Sequence, residues 1–181
     1  MAKLVSKTYG EALFDLALED GTLTTIIEEV NVAKEAIAKN PDLLKFLSHP
    51  NINKEEKIYV IENIFKERVS DTLVGFLVIV VQKDRYNDLN GIFEYFIAKV
   101  REYKNIGVTS IISAVELTNV QKKQVEQRLL QTTKYSQLES SFHVDKSLIG
   151  GLVIRIGDRV VDSSIKTKLQ ILAKDLRNAT V

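Results

Sequence analysis

A few residue sets in this sequence have types that could do chemistry. Asp158 and Asp162 lie four residues apart in "GGLVIRIGDRVVDSS", Gly150 to Ser164, and paired carboxylates are what a general acid and base require. Gly150 and Gly151 open the same stretch, as glycines do where backbone amides cradle a phosphate. His49 and His143, the two histidines of the chain, are of the type that ligates metals or moves protons. Cysteine is absent, which removes disulfides, thiolate nucleophiles and cysteine metal sites.

Context argues against each of these chemistries. A phosphate loop places its glycines after a strand and at the mouth of a helix, whereas Gly150 and Gly151 precede a strand and no Gly-Lys-Ser/Thr follows. Glycines entering a strand more commonly mark a bulge or a close backbone approach. Asp158 belongs to a Gly157-Asp158 hairpin dipeptide, and Asp162 or Ser163 is placed to cap the helix that follows. No histidine, tyrosine or second acid cluster adjoins them. His49 sits in a "SHPN" loop and His143 alone in a strand pattern, without a metal-ligand neighbour at useful spacing. No nucleophile elbow is present. The expectation is a protein without catalytic residues, metal, cofactor or small-molecule substrate.

The elements that position these residues fall into two halves. Up to about Asn105 the periodicity is helical. Val5, Tyr9, Ala12, Leu13, Leu16 and Ala17 form the stripe of a first helix that Gly21 ends. Leu23, Ile26, Ile27, Val30, Ala33 and Ile37 mark a second, stopped at Asn40-Pro41, and "DLLKFLSH" a short third closed by Pro50. Asn53 with Glu56 caps a fourth. Ser70-Asp71 caps a fifth, "TLVGFLVIVVQKD", and Leu89, Ile92, Phe93, Phe96, Val100 and Tyr103 lie on a sixth from about Asp88 to Lys104. Short links between six helices predict an antiparallel bundle.

Two of these helices are more apolar than a bundle wall requires. Phe14 and Leu18 form a pair opposite the main stripe of the first helix, by the rotation of 100° per residue. Leu73–Val81 in the fifth is apolar on every side, so that helix is either central or covered by something else. A central helix is one reading; a groove between the first and fifth helices that receives a partner's amphipathic helix is the other.

From Val108 the period changes to that of strands. "VTSIISAVEL" reads as a strand, Thr118 to Gln121 as the capping box of a mostly polar helix anchored by Val125 and Leu129, and "LESSFHVD" as a second strand. Leu152, Ile154 and Ile156 then alternate with Val153 and Arg155, and Arg159 to Val161 returns across the hairpin. A final helix shows Ile165, Leu169, Leu172 and Leu176 on one face. The fold class is α+β, a helical bundle over 1–105 followed by a small α/β domain over 106–181, with a seam at Asn105 to Gly107.

Composition bounds the partners. The 25 basic and 24 acidic residues leave a net charge of +1, so no basic footprint for nucleic acid or anionic lipid is present. The N-terminal stretch is an amphipathic helix containing acids, unlike a signal or transit peptide. Leu73–Val81, the longest apolar run, is far short of the ~20 residues that span a bilayer. The expectation is a soluble, cytoplasmic protein.

The residues also carry a resemblance. "TYGEALFDLALEDG", "FLVIVVQKDRYNDLNGIFEYF" and "VDKSLIGGLVIRIGDRVVDSSIKTKLQIL" resemble, in order and spacing over essentially the whole chain, the delta subunit family of bacterial-type ATP synthase, relatives of the mitochondrial oligomycin sensitivity conferral protein. Gly150, Gly151, Gly157, Asp158, Asp162, Ser164 and Leu169 match its C-terminal motif. The resemblance implies a non-catalytic peripheral-stalk subunit on the cytoplasmic face of a bacterial membrane, tying the catalytic head to the stator during proton-driven ATP synthesis. It implies that the bundle takes the N-terminal helix of an alpha subunit on its first and fifth helices, through Tyr9, Ala12, Leu13, Leu16, Phe76, Ile79, Val80 and Lys83. Phe14 and Leu18 are further candidates, and Tyr9 fits groove and core equally. The C-terminal domain is implied to meet the C-terminal end of the b-subunit stalk. One departure concerns Asp84, which stands where the family usually has glycine and leaves the end of the fifth helix open. The rival reading is a free-standing helical adaptor or RNA-binding bundle.

Overall fold

The computed structural model describes residues 2–179. Among them are eight α-helices and one four-stranded sheet, an α+β fold. The chain separates into two compact units, residues 1–100 and 101–181. The division falls inside the sixth helix, and Ile106 and Gly107 already belong to a strand.

Six helices precede the sheet: α1 (Ala2–Glu19), α2 (Leu23–Lys39), α3 (Pro41–Ser48), α4 (Lys54–Phe65), α5 (Asp71–Gln82) and α6 (Leu89–Tyr103). Their ends follow local chemistry. Asn53 Oδ1 accepts the Glu56 N–H at 2.8 Å, and Ser70 Oγ accepts that of Leu73, each satisfying an orphan donor. Ser70 Oγ also donates to Glu29 of α2 at 2.7 Å. Pro41 takes the first turn of α3, where its missing N–H is harmless. Gly21, at φ +65°, closes α1 with the paired bonds of a Schellman motif, Thr22 N–H to Ala17 O and Gly21 N–H to Leu18 O.

All six helices contribute to one apolar core, including Leu13, Ile26, Leu47, Ile61, Leu77 and Phe96. Helices α1 and α6 meet at glycines. A Cβ at Gly10 would lie 2.6 Å from the Tyr95 ring and 3.3 Å from Ile92 O, and one at Gly91 would lie 2.6 Å from Ser6 Oγ. At Gly10 the Tyr95 ring and the Ile92 carbonyl leave no room for a side chain, whereas the Ser6 hydroxyl facing Gly91 can rotate away. Tyr95 Oη donates to Glu11 at 2.9 Å across the same contact.

The second unit holds β1 (Ile106–Ser113), α7 (Asn119–Thr132), β2 (Gln137–Val144), β3 (Leu152–Ile156), β4 (Arg159–Asp162) and α8 (Ile165–Ala179). The sheet order is β2-β1-β3-β4. β1 pairs parallel with β2, so α7 is the crossover of a βαβ unit; β1 pairs antiparallel with β3, and β3 with β4 through the hairpin at Gly157-Asp158. The strand expected from Val108 to Leu117 stops at Ser113. There Ser113 Oγ donates to Val115 O, a local bond that diverts the backbone from the ladder. The capping box at Thr118 and Gln121 starts α7. The core here is small, built on Ile111, Ala114, Leu148 and Ile156 with Thr109, Ser113 and Ser164 buried beside them. Neither α7 nor α8 buries a whole side chain among the described residues.

Candidate functional site

Helix α1 turns Gly10, Leu13, Phe14 and Ala17 into the core. These fall within an arc of about 100°, at 100° per residue. Phe14 is therefore core and not a surface residue, a correction to its candidacy: the inward edge of α1 lies between the two stripes read from the sequence. On one flank Val5, Tyr9, Ala12 and Leu16 run at four-, three- and four-residue spacing. Val5 and Tyr9 are half-buried, while Ala12 and Leu16 are exposed, Leu16 to 40%. Leu18 is exposed on the other flank, which also carries the exposed Leu4 near the opposite end of the helix. Leu13 is fully buried, so it supports the face from within.

Helix α5 is mostly central. Leu73, Val74, Phe76, Leu77, Val80 and Val81 are buried, which settles the apolar run as core on most sides. A narrow strip remains outside: Gly75, Ile79 and Gln82 are exposed and Thr72 and Val78 half-buried, with Ile79 at 50%. Lys83 is exposed at the C-cap. Of the eight residues expected on the partner face, Ala12, Leu16, Ile79 and Lys83 are at the surface and Tyr9 is intermediate. Leu13, Phe76 and Val80 meet in the shared core. Gly75 and Val78, which the sequence reading did not single out, lie on the same outer strip, where helical projection opposite Leu73, Leu77 and Val80 places them.

Asp84 ends α5. Its φ is +56°, a left-handed position that glycine adopts freely and aspartate tolerates. Arg85 N–H reaches Val80 O at 2.9 Å and Asp84 N–H reaches Val81 O at 3.0 Å, completing a Schellman motif without glycine. Lys54 Nζ sits 2.6 Å from the Asp84 carboxylate and 3.0 Å from Gln82 O. The Lys54 hydrogen bond, ahead of the charges of Lys54 and Lys57, holds the Asp84 carboxyl below the usual carboxylate range. Lys57 is itself buried, its Nζ 5.3 Å from the centre of the Tyr86 ring.

The Gly150–Ser164 stretch is a junction and not a reactive centre. Gly151 has φ +81°, and a Cβ there would lie 2.5 Å from Ser163 O. Ser163 N–H and Oγ both donate to Leu152 O at 2.9 Å, and Ile165 N–H donates to Gly150 O at 3.0 Å. Ser164 Oγ accepts the Thr167 N–H at 3.2 Å, so Ser164 is the N-cap of α8 and not Asp162 or Ser163. Asp162 instead braces the cap, accepting from Ser164 N–H at 2.8 Å and Thr167 Oγ1 at 2.7 Å. These bonds hold its carboxyl below the ordinary value of 3.8, the reverse of what proton donation near neutrality needs. Asp158 stands exposed in the hairpin turn beside Gly157, whose φ is +54°.

Because the folded Asp162 binds its proton less readily than the unfolded one, the stabilisation is complete above the ordinary carboxylate value and is lost as pH falls through the lower folded value. Hydrogen exchange of the first turn of α8 should therefore accelerate as pH drops below about 4, after correction for intrinsic rates. In Asp162→Asn that acid-dependent component should disappear; its persistence would assign it to another group.

Helix α8 carries an exposed apolar face. Ile165, Leu169, Leu172 and Leu176 are 43–70% exposed, although their spacing is that of a core-facing stripe. The hydrogen bonds of its first turn anchor it, and the stripe beyond is open. His49 and His143 are both exposed, with no group of metal-ligating residues among the described residues. No described helix is long and apolar enough to cross a membrane.

Comparison with known proteins agrees with this architecture. A family model described as ATP synthase delta (OSCP) subunit matches residues 5–176. The ATP synthase subunit delta of Lachnoclostridium phytofermentans is 60% identical over 176 residues, 97% of each chain. That of Acetivibrio thermocellus is 33% identical over 174 residues, 96% of this chain and 98% of the relative. A chain from the mitochondrial ATP synthase of Toxoplasma gondii has the same fold, with a TM-score of 0.71 at 19% identity over 94% of this chain and 96% of that one. The chain belongs to the ATP synthase delta (OSCP) subunit family.

Proposed function

We propose that this chain is a non-catalytic peripheral-stalk subunit of an F-type ATP synthase, linking the catalytic head to the b-subunit stalk and resisting rotor torque during proton-driven ATP synthesis. The 60% identity over 97% of both chains carries this reading. In it, the first six helices are the family's N-terminal bundle and the sheet with its two helices the C-terminal domain. The chain is peripheral to the membrane, on the cytoplasmic face of a bacterial cell.

Two attachments follow. The N-terminal helix of an alpha subunit lies on the outward residues of α1 and α5, with Tyr9, Ala12, Leu16, Ile79 and Lys83 as contacts and Leu13, Phe76 and Val80 as the support beneath. Burial of this surface supplies affinity at ~25 cal/mol per Å² before association costs. The C-terminal end of the b stalk covers the Ile165–Leu169–Leu172–Leu176 stripe of α8, whose exposure calls for a helical partner. Two separate attachments slow detachment, because a chain released at one end stays at high effective concentration near it. No step of chemistry is assigned to the chain.

The rival reading, an adaptor or RNA-binding bundle, lacks the basic and aromatic face that nucleic acid requires. Purification of the tagged chain from detergent-solubilised membranes tests the choice. Alpha and b subunits should accompany it in stoichiometric amounts. Recovery of nucleic acid, or of the chain alone, would overturn the stator reading.

A further inference from the structure

Three glycines lie within helices of the first unit: Gly10, Gly75 and Gly91. A glycine inside a helix costs stability relative to alanine, because it frees the unfolded backbone and adds no packing. Gly10 is compensated, since a Cβ there would strike the Tyr95 ring across the α1–α6 contact, and a Cβ at Gly91 would at least displace the Ser6 hydroxyl, 2.6 Å away. Gly75 is different. A Cβ there would meet nothing within 4 Å, and its φ lies outside the left-handed range. Neither close packing within the chain nor backbone conformation accounts for a glycine at this place.

Its neighbours on the helix surface supply a reason. Thr72, Val78 and Ile79 stand at i−3, i+3 and i+4 from Gly75, the positions that border it on an α-helix. Together they make a shallow notch, with missing volume at Gly75 and the half-exposed Ile79 at its rim. A notch of this shape admits the backbone of a second helix more closely than any larger side chain would allow. We infer that Gly75 is the close-approach point for the partner helix on α5, a residue that determines how near and in what register the alpha-subunit helix seats. This rests on the proposed docking of that helix. Gly75 adds a position where the fold forgoes stability within the chain so that a neighbour can fit.

Full-length Gly75→Ala and Gly75→Leu, with Ile79→Asp as a control, test the inference by titration with a peptide of the alpha-subunit N-terminal segment from the same synthase. Gly75→Ala should raise the thermal midpoint of the first unit by about 3 °C and weaken peptide binding roughly tenfold, with Gly75→Leu weakening it further. Undiminished binding by both glycine variants, while Ile79→Asp loses it, would overturn the role of Gly75 and leave the docking face standing. A lower midpoint in Gly75→Ala would overturn it too, by showing that the chain itself needs the glycine. Peptide that fails to bind the unaltered chain would remove the docking face and the inference together.

Discussion

Replacing Ile79 by aspartate should weaken binding of an alpha-subunit N-terminal peptide by more than ~2 kcal/mol, the scale of an interface hot spot, while the helical bundle stays folded. The physical case is the position of the side chain. Ile79 is half exposed on a helix whose other large residues are sealed in the core. Aspartate there meets water in the free protein and therefore costs the fold little. Covered by a partner helix, the same carboxylate would be desolvated without a counter-charge. The effect thus appears in binding and not in folding, which separates Ile79 from Val80. A charge at Val80, fully buried, would disrupt the bundle first and say nothing about the interface. Calorimetry on Ile79→Asp with unchanged far-ultraviolet circular dichroism is the measurement. Unchanged affinity would remove α5 from the site.

Gly151→Ala should destabilise the second unit by about 3 kcal/mol, combining a left-handed backbone with a backbone clash. The added Cβ would lie 2.5 Å from Ser163 O and 3.0 Å from Ser164 Cα, atoms that cannot rotate away as a side chain can. They belong to the junction where β4 hands over to the capped start of α8. The small core around Ile111, Leu148 and Ile156 offers little reserve against that loss. Urea denaturation should show the transition of residues 101–181 moved to much lower concentration, with that of residues 1–100 unaltered. Hydrogen exchange would assign each transition to its unit. A midpoint equal to that of the unaltered chain would mean that the junction adjusts without strain.

The stretch that most invited a catalytic reading was legible as structure because its signals are local. A turn dipeptide, a glycine before a strand and a serine before an amphipathic run each act over a few residues. Even so, the choice among Asp162, Ser163 and Ser164 for the cap depended on a register shift of one residue, and Ser164 took it because burial directs its hydroxyl at the Thr167 N–H. The same locality explains why Asn53, Ser70 and Thr118 could be assigned as helix starts, whereas the strand after Val108 was drawn too long. The bond from Ser113 to Val115 O leaves no trace in a pattern of β-branched residues.

What the amino-acid order determined by itself was the sequence of elements, the α+β class and the family likeness. Each of these rests on short-range periodicity, capping chemistry or motif spacing, which a chain carries whatever its tertiary contacts. Only the folded structure decided which apolar residues were left for others. In α5 an unbroken apolar run has no phase, so packing alone chose Ile79 and Gly75 as the outward residues. In α1 the core selected the edge holding Phe14 and left Ala12 and Leu16 at the surface. In α8 a stripe with every mark of a core face stayed uncovered, because hydrophobic attraction is non-directional and sequence pattern cannot say whether the covering surface belongs to the same chain.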